Sequence, residues 1–250
     1  MPIDDASLDS ALATLRAEHL QHDELEGSLR RVLDATRTVF DVTGAGLMVV
    51  DDNDNLRYVA ATDGRSAALE AAQAETGEGP CVESLLTDKV VHTDDVAGDP
   101  RWPTLAGAVG GLGVGALLGV PIHVSNTSVG SLNVYADVQR AWKDDEVEAL
   151  RGFGLVVEEL LTQALTARER HVLAAQLDRA LSSRVLIDRA VGALMAEHRT
   201  DPVSAFNLLR NRARAERRKV TEVADEILVA VQQPDGVLTA PTQGEAPAQQ

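Results

Sequence analysis

The sequence has little cysteine, few aromatic residues and no long apolar run. Cys81 is the one cysteine among 250 residues, so neither an internal disulfide nor a zinc site built on cysteines is expected. No stretch reaches the roughly 18 consecutive apolar residues of a membrane span, and the first twenty residues lack the basic start and apolar block of a signal peptide. These absences predict a cytoplasmic protein that does not enter a membrane.

Motifs of the common enzyme classes are also missing. The chain contains no phosphate-binding Walker loop, no His-Glu-x-x-His zinc motif and no nucleophile elbow. We therefore expect no catalytic site and no metal site, and the sequence identifies no cofactor.

Charge is distributed unevenly along the chain. The formal net charge is -16, and residues 1–175 carry 13 basic against 29 acidic side chains. Residues 176–233 carry 10 against 8, and within them residues 205–219 hold six basic side chains and only Glu216 as an acid. A basic stretch on an acidic protein indicates nucleic-acid binding, although a solvated helix face would show the same pattern.

The first two thirds of the chain predict an α+β domain with mostly antiparallel strands. Helical spacing of apolar residues covers residues 8–22 and 25–40, and strands at 45–50 and 56–61 flank a turn and form a hairpin. Short helices are predicted at 66–75 and 81–87, a short strand at 90–92, and two further strands at 116–124 and 129–136. Residues 94–103 are predicted as a loop, and residues 107–115 are dense in glycine.

The last third is predicted to be helical. Residues 144–198 show an apolar stripe without proline, which is typical of a long coiled-coil helix and predicts a homodimer. Asp201 and Pro202 are the expected N-cap and first residue of a helix that reaches about Arg217, and Thr221 opens another that ends before Pro234. Residues 234–250 have the composition of a disordered tail.

The segment from residue 180 to residue 224 contains, in order, Ala180-Leu181, Ser183-Arg184, Ile187, Ala190, Gly192, Leu194-Met195, Ala205, Leu208-Leu209-Arg210, Ala213, Lys219 and Val223-Ala224. Through these residues it resembles the ANTAR family of RNA-binding antiterminator domains. That family often has Lys at the position before the glycine, where this chain has Val191.

The amino-terminal region, roughly residues 20–165, contains a motif at residues 77–81 (GEGPC), a motif at 99–103 (DPRWP) and a strand pair at 118–121 (LGVP) and 129–135 (VGSLNVY). Through these motifs it resembles GAF domains of the actinobacterial type. This resemblance implies a sensor of a small molecule or redox signal. The two resemblances together divide the chain into an N-terminal helix (1–22), a sensor (23–165), a coiled-coil linker (144–180), an ANTAR-like module (172–233) and a tail (234–250).

The candidate RNA-binding residues follow from this organisation. Phe206 is the one aromatic residue of the module, so arginine planes rather than aromatic rings would have to stack on bases. Gly192 lies within a helix at a cost of about 1 kcal/mol relative to alanine, which close helix packing or the approach of an RNA loop would explain. The candidates are Arg184, Gly192, Arg210, Arg214, Arg218 and Lys219.

Cys81 allows two interpretations. Near the start of a helix its thiolate would be favoured by the helix dipole, which would suit a redox sensor. A lone cysteine among aliphatic residues is more often a small buried apolar group.

Three alternative functions remain open at this point. The last helices could form a DNA-binding helix-turn-helix, or the helical segment could merely dimerise a ligand-binding or enzymatic sensor. A phosphorylation receiver would use the acids at 51–52, Asp94 or Asp95, and Lys143, but it needs helices that alternate with parallel strands. The favoured hypothesis is a signal-responsive, RNA-binding antitermination regulator whose partner is a stem-loop RNA.

Overall fold

The computed structural model describes residues 3–19, 25–51, 56–166 and 172–232. Within these ranges an amino-terminal domain has six helices and five strands, and a carboxy-terminal module has three helices. The domain consists of α1 (Asp5–His19), α2 (Leu25–Phe40), β1 (Gly44–Val50), β2 (Leu56–Ala61), α3 (Gly64–Thr76), α4 (Pro80–Thr87), β3 (Val91–Thr93), α5 (Pro103–Val109), β4 (Ala116–Val124), β5 (Thr127–Ala136) and α6 (Asp144–Thr166). The module consists of α7 (Val172–His198), α8 (Pro202–Glu216) and α9 (Val220–Gln232).

The five strands form one sheet with the order β2-β1-β5-β4-β3. Leu132 of the central strand β5 lies opposite Leu47 of β1 and opposite Val120 of β4. All pairings in the described part of the chain are antiparallel. The predicted α+β fold is thereby confirmed, and the parallel sheet that a receiver domain requires is excluded.

The two faces of the sheet have different partners because side chains alternate along each strand. Val120, Leu132 and Val134 belong to the apolar core that the sheet forms with α2 and α6. Burying one such side chain stabilises the folded chain by about 2 kcal/mol. On the opposite face the buried polar side chains Ser131 and Asn133 lie on the side covered by α3 and α4. The sheet therefore separates an apolar layer from a layer that contains polar groups.

Most of the predicted elements of this domain are present with small shifts at their ends. Helix α5 is the exception, because no helix was predicted there: residues 94–103 were expected to be a loop, and residues 107–115 were noted only as dense in glycine. Pro103 begins this helix, and Leu105 and Val109 are buried against the small core beside α3. Two glycines follow it directly, and seven residues are too few to show a helical apolar pattern.

The helical segment predicted at 144–198 is found as α6 and α7, with residues 167–171 outside the described ranges. In one straight helix, residues of α6 and α7 would lie at least about 9 Å apart along the axis. Cα atoms of the two helices nevertheless approach within 8 Å, and α7 also contacts β1 and β5. The segment is therefore not one straight coiled-coil helix as predicted. Helix α6 lies in the core of the amino-terminal domain and Leu181 of α7 packs against that core, whereas the later apolar residues of α7 belong to the core of the module.

The module begins α8 as predicted. The Asp201 side chain accepts a hydrogen bond from the Ser204 backbone N–H at 3.0 Å, and Pro202 is the first helical residue. The helix ends at Arg217, whose left-handed conformation (φ 54°) caps it. The three helices share a core of their own, formed by Ile187, Ala190, Val191, Leu194, Ala205, Phe206, Leu209, Ala213, Val220, Val223, Ala224 and Ile227.

No described helix has the length and apolar character needed to cross a membrane. The predicted tail, residues 234–250, lies outside the described ranges. The module rests on the amino-terminal domain through a contact between α8 and α4, and Leu86 of α4 packs against the core of the module. This contact determines the surroundings of several candidate residues.

Candidate nucleic-acid interface

The end of α8 and the start of α9 enclose a basic depression of about 330 Å³. Its cationic side chains come from one turn of α8 and from the three residues, 217–219, that join the two helices. Because the left-handed cap at Arg217 turns the chain sharply, basic residues of α8 and of its connection to α9 face the same space. The depression is lined by Arg210, Ala213, Arg214, Arg217, Arg218, Lys219 and Val220.

Two arginines of this region are engaged by acids of α8 and α9. Arg218 contacts Glu216 at 2.7 Å and Glu226 at 2.6 Å through Nη1. Arg212 contacts Glu216 at 2.8 Å and also pairs with Glu226. The network joins the two helices, and it leaves Arg214, Arg217 and Lys219 as the exposed cations of the depression. Arg217 was not among the predicted RNA-binding residues, because the sequence placed it at the end of α8 but did not show that the turn there directs it into the depression.

Arg210 points away from solvent and towards the amino-terminal domain. Only 8% of the residue is exposed, and its Nη2 donates to the backbone carbonyls of Ala74 and, at 3.3 Å, of Glu75. Arg214 Nη2 donates to the same Glu75 carbonyl at 3.3 Å. Burial, together with the nearby charge of Arg214, lowers the pKa of Arg210 to about 10. These arginines bind the last turn of α3, whose carbonyls carry the negative end of the helix dipole.

Arg184 is also buried, with 3% of the residue exposed. Its Nη2 donates to the Leu85 carbonyl of α4 at 3.2 Å and forms an ion pair with Asp188 at 2.9 Å. The Nε and Nη1 atoms have no hydrogen-bond partner among the described residues. The sequence hypothesis assumed an accessible Arg184, whereas in this structure the amino-terminal domain covers it. Its role in contacting RNA stays a prediction.

Three other positions of the module are clarified by the structure. A Cβ atom built on Gly192 would meet nothing within 4 Å in the described structure, so close helix packing does not explain this glycine. Val191 is buried in the core of the module, where the charge of a lysine would be costly. Phe206 is buried as well, which agrees with the expectation that aromatic stacking does not serve this surface.

An apolar groove of about 750 Å³ lies between α7, α8 and α9 on the module. Leu208, which is 45% exposed, lies on its wall, and Arg212 and Glu226 belong to its rim. No pattern in the sequence indicates this groove, because residues from three separate helices form it. An apolar wall beside a guanidinium is chemically suited to an unstacked base, although Arg212 is held by its two carboxylate partners.

A buried polar cluster lies between the sheet and α3 in the amino-terminal domain. Glu70 accepts hydrogen bonds from Asn133 Nδ2 at 2.9 Å and from Gln73 Nε2 at 3.0 Å. Burial raises the pKa of Glu70 to about 8, and the two amide donors offset part of that effect. Gly46 of β1 leaves the space that this carboxyl group occupies, since a Cβ there would lie 2.5 Å from Glu70 Oε1.

Cys81 belongs to this cluster and is fully buried at the start of α4. Its backbone N–H donates to Gln73 Oε1 at 2.9 Å. Burial raises the pKa of the Cys81 thiol, and the Glu70 carboxyl group adds to this effect. The expected stabilisation of a thiolate by the helix start is therefore outweighed, and redox sensing by Cys81 would first require exposure of the thiol.

Comparison with family models identifies both parts of the chain. A model described as GAF domain matches residues 24–161, and one described as ANTAR domain matches residues 175–228. Both families are regulatory and non-catalytic. A search of curated proteins found no significant match.

Solved structures similar to this chain include several GAF domains. The phycocyanobilin-bound GAF domain from a cyanobacterial phytochrome has a TM-score of 0.52 at 18% identity, covering 66% of this chain and 98% of its own. The GAF domain from an Acinetobacter phosphoenolpyruvate-protein phosphotransferase has 0.51 at 14% identity, with the same coverage. The corresponding Coxiella burnetii domain has 0.50 at 18% identity, covering 65% of this chain and 98% of its own. At these identities the likeness shows the fold alone.

Proposed function

We propose, from the premise that the chain belongs to the GAF domain family and carries an ANTAR domain, that it is a signal-responsive transcription antitermination regulator. In this proposal it acts in the cytoplasm, and its ANTAR module binds stem-loop RNA. The observation that carries the proposal is the basic depression, which concentrates positive charge at one place on a chain of net charge -16. RNA phosphates are the partners that such a charge distribution attracts.

The chemistry of the depression suits phosphate more than base recognition. Arg214, Arg217 and Lys219 carry long, positively charged side chains at the surface. Each can neutralise an RNA phosphate without contacting the base. Sequence-dependent contacts are then assigned to Arg184 and to the open surface at Gly192, once Arg184 is accessible. Binding in this way would make the RNA favour an antiterminator hairpin over a terminator hairpin.

Lys219→Ala is expected to weaken binding of every stem-loop RNA by a similar factor. Because one phosphate contact is lost, the slope of log affinity against log salt should become less negative by about 0.7 to 0.9. Fluorescence anisotropy titrations with two unrelated stem-loops at several salt concentrations measure both effects.

Lys143→Ala is the matched control, since it removes the same charge from an exposed site on the amino-terminal domain. It should leave the salt slope unchanged. Equal slopes for the wild type and both variants would show that the depression does not contact phosphate.

A DNA-binding regulator is the second candidate, because the helices of the module could also form a helix-turn-helix. The depression alone does not distinguish the two, since duplex DNA carries the same phosphate charge. Competition between a stem-loop RNA and a duplex DNA with equal numbers of phosphates separates them. Preference for the duplex would contradict the RNA proposal.

The signal is proposed to act on the GAF domain, as a small molecule or a change of redox state. The polar cluster of Glu70, Gln73, Asn133 and Cys81 is a place in this domain where an added charge or a polar ligand would have a large effect. Buried polar groups respond strongly to such changes because the surrounding dielectric constant is low.

We further propose that the protein is a homodimer, but not through Leu161 and Leu165, two residues of the apolar stripe predicted at 144–198. Leu161 is fully buried in the core of the GAF domain and Leu165 packs against that core, so both are occupied within one chain. Leu155 of α6 and Val185 of α7 are instead 53% and 48% exposed. We take these two side chains as the candidate contact with another copy, since an exposed apolar surface on a helix is one against which a partner helix can pack.

The double variant Leu155→Glu, Val185→Glu should sediment as a monomer at concentrations where the wild type is a dimer, because two apolar contacts become charged. Analytical ultracentrifugation measures this. Val138→Glu, at another exposed apolar residue, is the control and should leave the association unchanged. A double variant that stays dimeric places the interface elsewhere.

A further inference from the structure

We propose that the GAF domain holds the ANTAR module in a closed form, in which backbone carbonyls at the ends of α3 and α4 occupy arginines that RNA would otherwise contact. This regulation rests on the RNA-binding function proposed above. The closed form competes with RNA, and release of the module by the GAF domain is the step that a signal controls.

The first contact lies at the end of α3. The final carbonyls of a helix have no partner within the helix, and Ala74 and Glu75 lie in that last turn. Arg210 binds both carbonyls and Arg214 binds that of Glu75. Gly77 allows this approach, because a Cβ there would overlap the Arg210 guanidinium and lie 2.9 Å from Asn207 Oδ1. The end of α3 therefore takes the position at these arginines that a phosphate would take.

The second contact lies at the end of α4. Leu85 is in the last turn of this eight-residue helix, and its carbonyl accepts from Arg184 at 3.2 Å. Leu86 beside it packs against the core of the ANTAR module. Both arginine contacts therefore use the same device, a helix carboxyl end with free carbonyls, on two neighbouring helices.

The closed form satisfies these arginines incompletely. Arg184 is buried while its Nε and Nη1 atoms lack partners among the described residues, and leaving such a donor unpaired in the interior is unfavourable. Among the residues that the structure describes, Arg210 has carbonyls but no carboxylate at its guanidinium. A phosphate offers a full negative charge and more acceptor oxygens than a carbonyl, so RNA is the stronger partner once the domains separate.

The two helix ends are connected to the polar cluster of the GAF domain. Gln73 of α3 lies one residue before Ala74, and its side chain accepts from the Cys81 N–H of α4 while donating to Glu70. A change in this cluster would move α3 relative to α4 and would disturb both arginine contacts together. The cluster thus provides a physical route from the sensor interior to the RNA-binding residues.

The test uses two variants on the GAF side, which leave every proposed RNA contact intact. Leu86→Glu places a charge against the apolar core of the module, and Gly77→Ala places a Cβ against Arg210. Both should increase the radius of gyration in small-angle scattering. Both should also bind a stem-loop RNA, selected in vitro on the wild-type chain, at least about tenfold more tightly, as expected if a tenth or less of the wild type is open.

Val138→Glu is the control for Leu86→Glu, since it adds the same charge to an exposed apolar site of the GAF domain. It should change neither size nor affinity. Variants that separate the domains but bind RNA no more tightly than the wild type would overturn the closed form while leaving RNA binding intact. Variants in which the two domains do not separate would also overturn the closed form, because the contact between the domains would then not control access to the arginines. If neither wild type nor variants prefer the RNA over duplex DNA, the proposed function itself is wrong.

Discussion

Glu70→Gln should make the protein more stable than the wild type at pH 9, by a few kcal/mol, and should change its stability little at pH 4. The pKa of Glu70 is about 8 in the folded chain, against an ordinary value of 4.5. Between these values the folded chain keeps a proton that the unfolded chain has lost. Rising pH therefore favours unfolding of the wild type in this window, and the stability present below about pH 4.5 is lost as the pH passes 8.

Glutamine stays neutral at every pH and removes this dependence. Urea unfolding at pH 4, 7 and 9 gives the free energy of unfolding of both proteins. Glu148→Gln, at a site where the side chain is 67% exposed, is the control and should track the wild type. A difference between Glu70→Gln and the wild type that does not grow with pH would show that Glu70 is ionised in the folded protein at neutral pH.

Arg184→Ala should reduce discrimination between a cognate and a scrambled RNA loop by roughly 1 to 3 kcal/mol, the usual cost of losing a base contact. The planar guanidinium donates several hydrogen bonds in fixed directions and stacks on a flipped-out base. Because Arg184 also binds the Leu85 carbonyl, the substitution should be measured in the Leu86→Glu background, where the module is expected to be free. Titrations of both RNAs then report the base contact alone.

Arg189→Ala provides the matched control, since Arg189 is exposed on the same helix. Its loss should weaken the binding of both RNAs equally and preserve the ratio of their affinities. Circular dichroism establishes that each variant is folded. Unchanged discrimination by a folded Arg184→Ala protein would remove Arg184 from the RNA-binding site.

Local signals in the sequence predicted much of the fold. The alternation of apolar residues gave strand β4 its bounds, and Asp201 with Pro202 located the start of α8 because caps depend on neighbouring residues only. Ile187 and Leu194, two apolar positions of the ANTAR segment, are buried in the core of the module. Predictions that depend on a few consecutive residues were therefore confirmed.

The surroundings of the arginines could not be predicted in this way. Arg184 binds a carbonyl 99 residues away and Arg210 binds one 136 residues away, and no periodic pattern encodes such contacts. A sequence of charged residues is normally interpreted as solvated surface, since isolated charges are rarely buried. The neutral carbonyls of a helix end leave no charge pattern that would reveal them as partners.

The buried position of the one thiol of the chain allows the distance between the two domains to be measured by spectroscopy, because added cysteines can be labelled selectively. Cys81 is fully buried at the start of α4, so maleimide probes should react with it slowly. Added surface cysteines should react first. One cysteine at Val138 and another at Leu208 would carry a donor and an acceptor dye without removal of the native residue. Energy transfer between the dyes would then follow the separation of the domains in single molecules as RNA is added.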